Sequence, residues 1–195
     1  MNAGPTSAVV TGGVALLERA MSYTLGSLLL VSPEAMTNAT PCSDWDLRAL
    51  LLHMNDSLLT LHEAIAVGHL DIEHDFGDPA LDPVASLRNR ACQMIGAWAN
   101  ARAPGDISIA DRALPPGIVA AAGAVEVTVH GWDVAQACGQ DRPVPYVLAA
   151  ELLDLCPLFV RDADRATRFA PRLDLSLAAD SPSDRLVAFL GRRPH

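Results

Sequence analysis

Apolar residues recur at three- and four-residue steps along much of the chain, the spacing of helices that each bury one face. Leu16, Leu17, Ala20, Met21, Leu25 and Leu28 form the first such stripe, within a helix expected over Thr11–Val31. Pro33 stands just beyond, where proline commonly follows a helix. A second stripe, from Leu47 through Leu51, Met54, Leu58 and Leu61 to Ile65, continues to Gly68, a natural stop. Ser43 can cap this helix, and Asp46 three residues later resembles a capping box with a shorter acid. Leu87, Ala91, Met94, Ile95 and Trp98 mark a third helix over Val84–Arg102, halted by Pro104-Gly105.

A fourth helix is expected over Gly117–Cys138, closed by Gly139, and a fifth over Pro145–Val160, with proline in its first turn. A last short helix, Asp184–Leu190, lies between Ser183 and Gly191. Two short segments alternate strictly, Ile107-Ser108-Ile109 and Leu173–Leu177; they read as strands that pair at one end of the helices. The acidic stretch Asp71–Pro83, with Gly77 and Pro79, reads as a loop. The pattern predicts an all-α protein of one domain. Its four-helix bundle covers residues 8–160, and a C-terminal extension over 161–195 holds a small β-hairpin-like element and a short helix.

Composition agrees with this architecture. Of the 195 residues, 50% are hydrophobic and only 5% aromatic, and Ala and Leu dominate, which favours packed helices over sheets. The net charge of −9 removes the basic surface a nucleic-acid binder needs. All the basic residues are arginine, and those near the C-terminus alternate with Asp162, Asp164, Asp174 and Asp184, a mixed solvated face. No basic segment followed by an apolar run opens the chain, and Leu28–Val31 is too short an apolar stretch to span a bilayer, so a cytoplasmic protein that does not enter membranes is expected. Cys42, Cys92, Cys138 and Cys156 are widely spaced and form no CxxC, which reads as four small core residues.

The chemistry concentrates in Glu126-Val127-Thr128-Val129-His130-Gly131-Trp132-Asp133. Glu126 and His130, four apart, share a helix face, and a carboxylate and an imidazole there can grip one zinc ion. Asp133 shares the face and is placed to orient His130 or to contact a water on the ion, the catalytic candidate of the set. Ala120, Ala121, Ala122, Gly123 and Ala124 strip the helix of bulk and leave room for a cavity. His53 is the candidate third ligand, because Ala49, His53, Ser57, Thr60 and Ala64 make a small, polar second face on an otherwise apolar helix. Three protein ligands leave a position for water or substrate, as in catalytic zinc sites. By spacing alone, a Glu–His pair of this kind is more often a surface pair than a metal site. Trp45 and Trp132 read as core or rim anchors.

The segment Pro41-Cys42-Ser43-Asp44-Trp45-Asp46-Leu47-Arg48-Ala49-Leu50-Leu51-Leu52-His53 resembles the first signature of the DinB/YfiT-like superfamily, in the branch near the N-terminal domain of mycothiol-dependent maleylpyruvate isomerase. Glu126-xxx-His130-Gly131-Trp132-Asp133 resembles the second, and Ser183–Arg192 a closing motif of small single-domain members. The resemblance implies a four-helix bundle holding zinc, or else nickel, on His53, Glu126 and His130. It also implies mycothiol as a cosubstrate. The isomerase carries a further C-terminal domain that contributes to its active site, whereas here a short tail over Pro157–His195 follows, so isomerisation of maleylpyruvate itself is not expected.

Three functions are consistent with these residues. The first is a metal-dependent thiol transferase or isomerase acting on a small molecule, with Arg88, Arg185 and Arg192 as candidate partners of an anionic cosubstrate. The second is a metal-dependent hydrolase or rearrangement enzyme of a biosynthetic pathway. The third is a non-catalytic metal-binding or interaction module, a homodimer through an apolar helix face.

Overall fold

A computed structural model of the chain describes residues 5–42, 45–70, 82–100, 105–109, 112–165, 169–174 and 181–194. Its helices are α1 (Pro5–Leu28), α2 (Leu47–Val67), α3 (Pro83–Asn100), α4 (Pro116–Ala137), α5 (Tyr146–Phe159) and α6 (Pro182–Phe189). Three short strands, β1 (His69–Leu70), β2 (Ile107–Ile109) and β3 (Arg112–Leu114), make one small sheet. The architecture is the expected helical bundle, with a small hairpin and a C-terminal helix.

The first four helices run up, down, down and up. Thr24 Oγ1 on α1 donates to Val127 O on α4 at 2.7 Å, and Gly13 lies against Gly117, so these two helices run side by side in the same direction. Asn38 O accepts from Leu47 N at the start of α2 while Asn38 Nδ2 donates to Ala137 O at the end of α4, so α2 is antiparallel to α4. Helix α3 runs with α2: Asn55 Nδ2 donates to Pro83 O at the start of α3, and the strands that follow the two helices pair in parallel, His69 opposite Ser108. Strand β2 then turns back antiparallel to β3, Ile107 opposite Leu114.

The sheet differs from the sequence expectation. Ile107–Ile109 is a strand, but its partners are β1 and β3, because chain leaving α2 and chain leaving α3 emerge at the same end of the bundle. Leu173 and Asp174 are irregular; Leu173 N donates to Ala188 O on α6. Residues 175–177 of that expected strand lie outside the described residues. The α2 cap is also shifted. Asp46, not Ser43, is the N-cap, its side chain accepting from Ala49 N at 2.8 Å, and Ser43 lies outside the described residues. Gly68 closes α2 as expected, at φ 72, a left-handed conformation that costs glycine least.

Helix α4 is the core of the molecule. It is the one helix among the described residues long and apolar enough to cross a membrane, but 83% of the apolar window is buried inside the bundle. Its small residues serve close helix packing. A Cβ on Gly123 would stand 2.7 Å from Leu61 Cδ1 of α2, and one on Gly131 would collide with Thr24 of α1. Leu16, Met21, Leu50, Leu51, Met94 and Val129 fill the remaining interior. Burying each such side chain contributes about 1.5–3 kcal/mol relative to exposure.

Candidate metal centre

The antiparallel seam between α2 and α4 carries the site. One helical turn from Leu61 to Ser57, and another to His53, steps along α2 as Gly123 and then Glu126 step along α4 in the opposite sense. His53 Nε2 lies 2.9 Å from Glu126 Oε1, and His130 Nε2 lies 3.3 Å from the same oxygen. Ser57 Oγ donates to it at 3.4 Å. His53, Glu126 and His130 each offer one donor atom, and these atoms all lie within 4.8 Å of one another. The three residues selected from the sequence are therefore brought together.

Asp133 stands on the other side of His130. His130 Nδ1 donates to Asp133 Oδ2 at 3.0 Å, and Asp133 is fully buried. Two residues that the sequence reading did not place here complete its surroundings. Arg192, near the end of the chain, grips Asp133 with two bonds, Nε to Oδ1 at 3.3 Å and Nη2 to Oδ2 at 2.9 Å. Cys42 Sγ accepts from Arg192 Nη2 at 2.9 Å and donates to Asp133 Oδ2 at 3.5 Å. Cys42, His130 and Asp133 are also close enough to hold a cation, but the guanidinium of Arg192 already supplies that charge.

The cysteines thus differ from the core quartet expected. Cys156 is buried, Cys42 and Cys138 are half-buried, Cys92 is exposed, and all four are free thiols. Arg192 is committed to Asp133, while Arg88 and Arg185 are exposed on α3 and α6.

Electrostatics follow from this packing. Burial opposes ionisation of Glu126, but attraction and hydrogen bonds from His130 and His53 outweigh it and hold the carboxyl well below its usual range. Burial likewise opposes a charge on His130, yet Glu126 and Asp133 raise its pKa well above that of a free histidine. Against its burial, Asp133 is held low by His130 and Arg192. The centre is thus a chain of alternating charge running inward from Glu126 through His130 and Asp133 to Arg192.

Outward, the centre is open. The His53 and Glu126 side chains keep 34% and 31% of their exposure, against 7% for His130. Trp45 is half-buried with its ring 4.4 Å from that of His53, a rim anchor, whereas Trp132 is core. On the inner side a small apolar pocket borders Glu126 and His130, walled by Met21, Leu28, Met54 and Leu87. Its cavity volume is only about 20 Å³, room for a water and little more. None of the small residues Ala120–Ala124, expected to leave room for a cavity, lines this pocket, and Gly123 lies against Leu61 of α2 instead.

A family model described as the mycothiol maleylpyruvate isomerase N-terminal domain matches residues 17–135, more than half of the chain. The chain belongs to this family. No curated protein and no solved structure matched it. The mycothiol maleylpyruvate isomerase N-terminal domain is DinB-like, and its family is metal-binding in general. The matched region spans the second half of α1, all of α2 and α3, and α4 as far as Ala135. It includes His53, Glu126, His130 and Asp133 and stops short of Arg192.

The residues fit a metal ion. Two imidazole nitrogens and a carboxylate face a common point, a donor set that suits zinc. The far nitrogen of His130 is held by a carboxylate, the usual outer support of a ligating histidine. Cys42 was missed as a site residue, and Arg192, expected to meet an anionic cosubstrate, meets Asp133 instead; they lie 91 and 59 residues from Asp133. Both stand within the family motifs quoted above, but a motif carries no distance between its parts.

Proposed function

We propose that the protein is a divalent-metal enzyme that works with a low-molecular-weight thiol of the mycothiol type, in a transferase or isomerase reaction. The observation that carries this reading is the convergence of His53, Glu126 and His130 at a centre buried on one side and open on the other. Those three residues hold the ion, zinc in the first place and nickel in the second. When bound, the ion supplies Lewis acidity that makes a thiol or water a nucleophile at neutral pH.

The chain's own side chains do the rest. Asp133 fixes the tautomer and orientation of His130 through Nδ1. It is buried behind that ring and works as a positioning residue rather than by touching substrate. Trp45 packs against the ring of His53 and limits how that ring can turn. Glu126 Oε1 completes the donor set at the open side, where His53 Nε2 and Ser57 Oγ lie within reach of it. Substrate approaches from that side, because the inner pocket is too small to admit it.

The same small pocket favours a second reading, a non-catalytic metal-binding module. One experiment separates the two. Zinc-loaded protein is incubated with millimolar mycothiol, bacillithiol or glutathione and a panel of small electrophiles, and thiol consumption and thermal midpoint are followed. The thiol reading predicts turnover, or a midpoint shift, with at least one thiol. If all three leave both quantities unchanged, the thiol reading is wrong; hydrolysis of esters or amides by the same sample would then redirect it to metal-dependent hydrolysis.

A further inference from the structure

The C-terminal segment reaches the metal centre. Helix α6 ends in a turn in which Gly191 N bonds Ala188 O at 3.0 Å and Arg192 N bonds Val187 O at 2.8 Å, the paired bonds of a left-handed helix stop. Gly191 has φ 81, and a Cβ there would meet Ala170 Cβ at 2.8 Å. The turn therefore reverses the chain in a space only glycine fits and sends Arg192 inward. Its side chain is buried. Nη1 is anchored on Leu190 O at 2.9 Å, and the fork of Nε and Nη2 closes on both oxygens of Asp133. Asp133 holds His130 Nδ1.

We propose that Arg192 is a positioning residue of the metal centre, fixing His130 through Asp133, so that the tail outside the matched family region is an integral part of the site. The inference rests on the metal reading given above. An arginine fork pins a carboxylate in two directions, which a single donor cannot do. With both oxygens held, the carboxylate cannot swing, and the imidazole it orients keeps Nε2 toward Glu126. Cys42 lies against the same guanidinium and closes the network on its outer side.

The test uses the full chain, stripped of metal, with zinc affinity measured by competition against a chromophoric chelator and ligand geometry read from the absorption bands of bound Co²⁺. Arg192→Met weakens zinc binding about 10–100-fold, the usual loss when an outer support of a ligand is removed, and shifts the Co²⁺ bands. Arg192→Lys, which keeps the charge but not the fork, falls between Arg192→Met and the unaltered protein. Arg165→Met is the structural control. Arg165 is another buried arginine of the tail, bonded to Phe189 O at 2.9 Å and to Asp162 rather than to Asp133 or His130, and its loss leaves affinity and spectrum unchanged.

If the unaltered chain binds no zinc, the metal reading itself fails. If it binds zinc and Arg192→Met matches it in affinity and spectrum, only the present inference fails. An Arg165→Met loss as large as that of Arg192→Met also overturns it, since the effect would then come from docking of the tail. Should Arg192→Met not fold, an Arg192→Lys protein identical to the parent in affinity and spectrum overturns it as well.

Discussion

Replacing Gly131 with alanine tests the packing that sets His130 in place. Gly131 follows His130 on α4 and faces Thr24 of α1. An added Cβ would run into Thr24 Oγ1 and stand 3.0 Å from its Cβ and 3.1 Å from its Cα. Rotating Thr24 away removes the first clash and leaves the other two. It also sacrifices the bond to Val127 O, a loss of about 0.5–1.5 kcal/mol. Forcing a methyl into a filled interior costs about 1–3 kcal/mol, while the better helix propensity of alanine returns about 0.8–1.0 kcal/mol. The net result is a destabilisation of about 0.5–3.5 kcal/mol, or a fall in Tm of roughly 1–14 °C for a chain of this size. Thermal unfolding of the metal-free protein, followed by circular dichroism, reads it directly. Gly12→Ala is the companion, since a Cβ there meets nothing, and it should gain about 0.5–1 kcal/mol. A Gly131→Ala protein as stable as its parent would refute the close α1–α4 contact.

Asp46→Ala removes the cap of α2 and is expected to cost about 0.5–2 kcal/mol, read from denaturant midpoints. Thiol labelling of the folded protein at neutral pH should modify exposed Cys92 first and leave Cys156 untouched, because burial pushes the Cys156 thiol up to about 12; early labelling of Cys156 by mass spectrometry would contradict its placement. The pH dependence of stability has a definite sign. His130 is raised in the fold, so its contribution is full below about pH 6.5 and is lost as pH rises through the raised value. Glu126 and Asp133 are lowered, so theirs is present above about pH 4.5 and lost as pH falls through the lowered values. Metal-free protein should therefore be most stable in mildly acidic solution. Stabilisation by added zinc should grow with pH, since His130 must shed its proton to ligate; a zinc effect that shrinks with pH would count against this.

The first three helices were legible because each carries an apolar stripe, and several helices end on glycine, as at Gly68, Gly139 and Gly191. The cap of α2 was misassigned to Ser43 because Ser and Asp are near-equal caps and both stand before the first apolar turn. The sheet was half legible: the alternation in Ile107–Ile109 was visible, but two-residue β1 has no period to detect, and the pairing depends on where α2 and α3 end. At the site, Glu126 and His130 follow from helical spacing, and His53 from its small, polar face. The bond from His130 to Asp133 also follows from spacing, but its continuation to Arg192 and Cys42 was not readable, since Cys42 and Arg192 are 150 residues apart in the chain. The purpose of the small residues on α4 was also misjudged. Their lack of bulk can mean a cavity or close helices, and Leu61 and Thr24 show that here it means close helices.

Elemental analysis bears most directly on the metal centre. The purified chain and its His53→Ala and His130→Ala variants are loaded with zinc, desalted and analysed, with circular dichroism as the check on folding. The prediction is one ion per chain in the parent and a large loss in both folded variants. Equal metal content in all three proteins would contradict it.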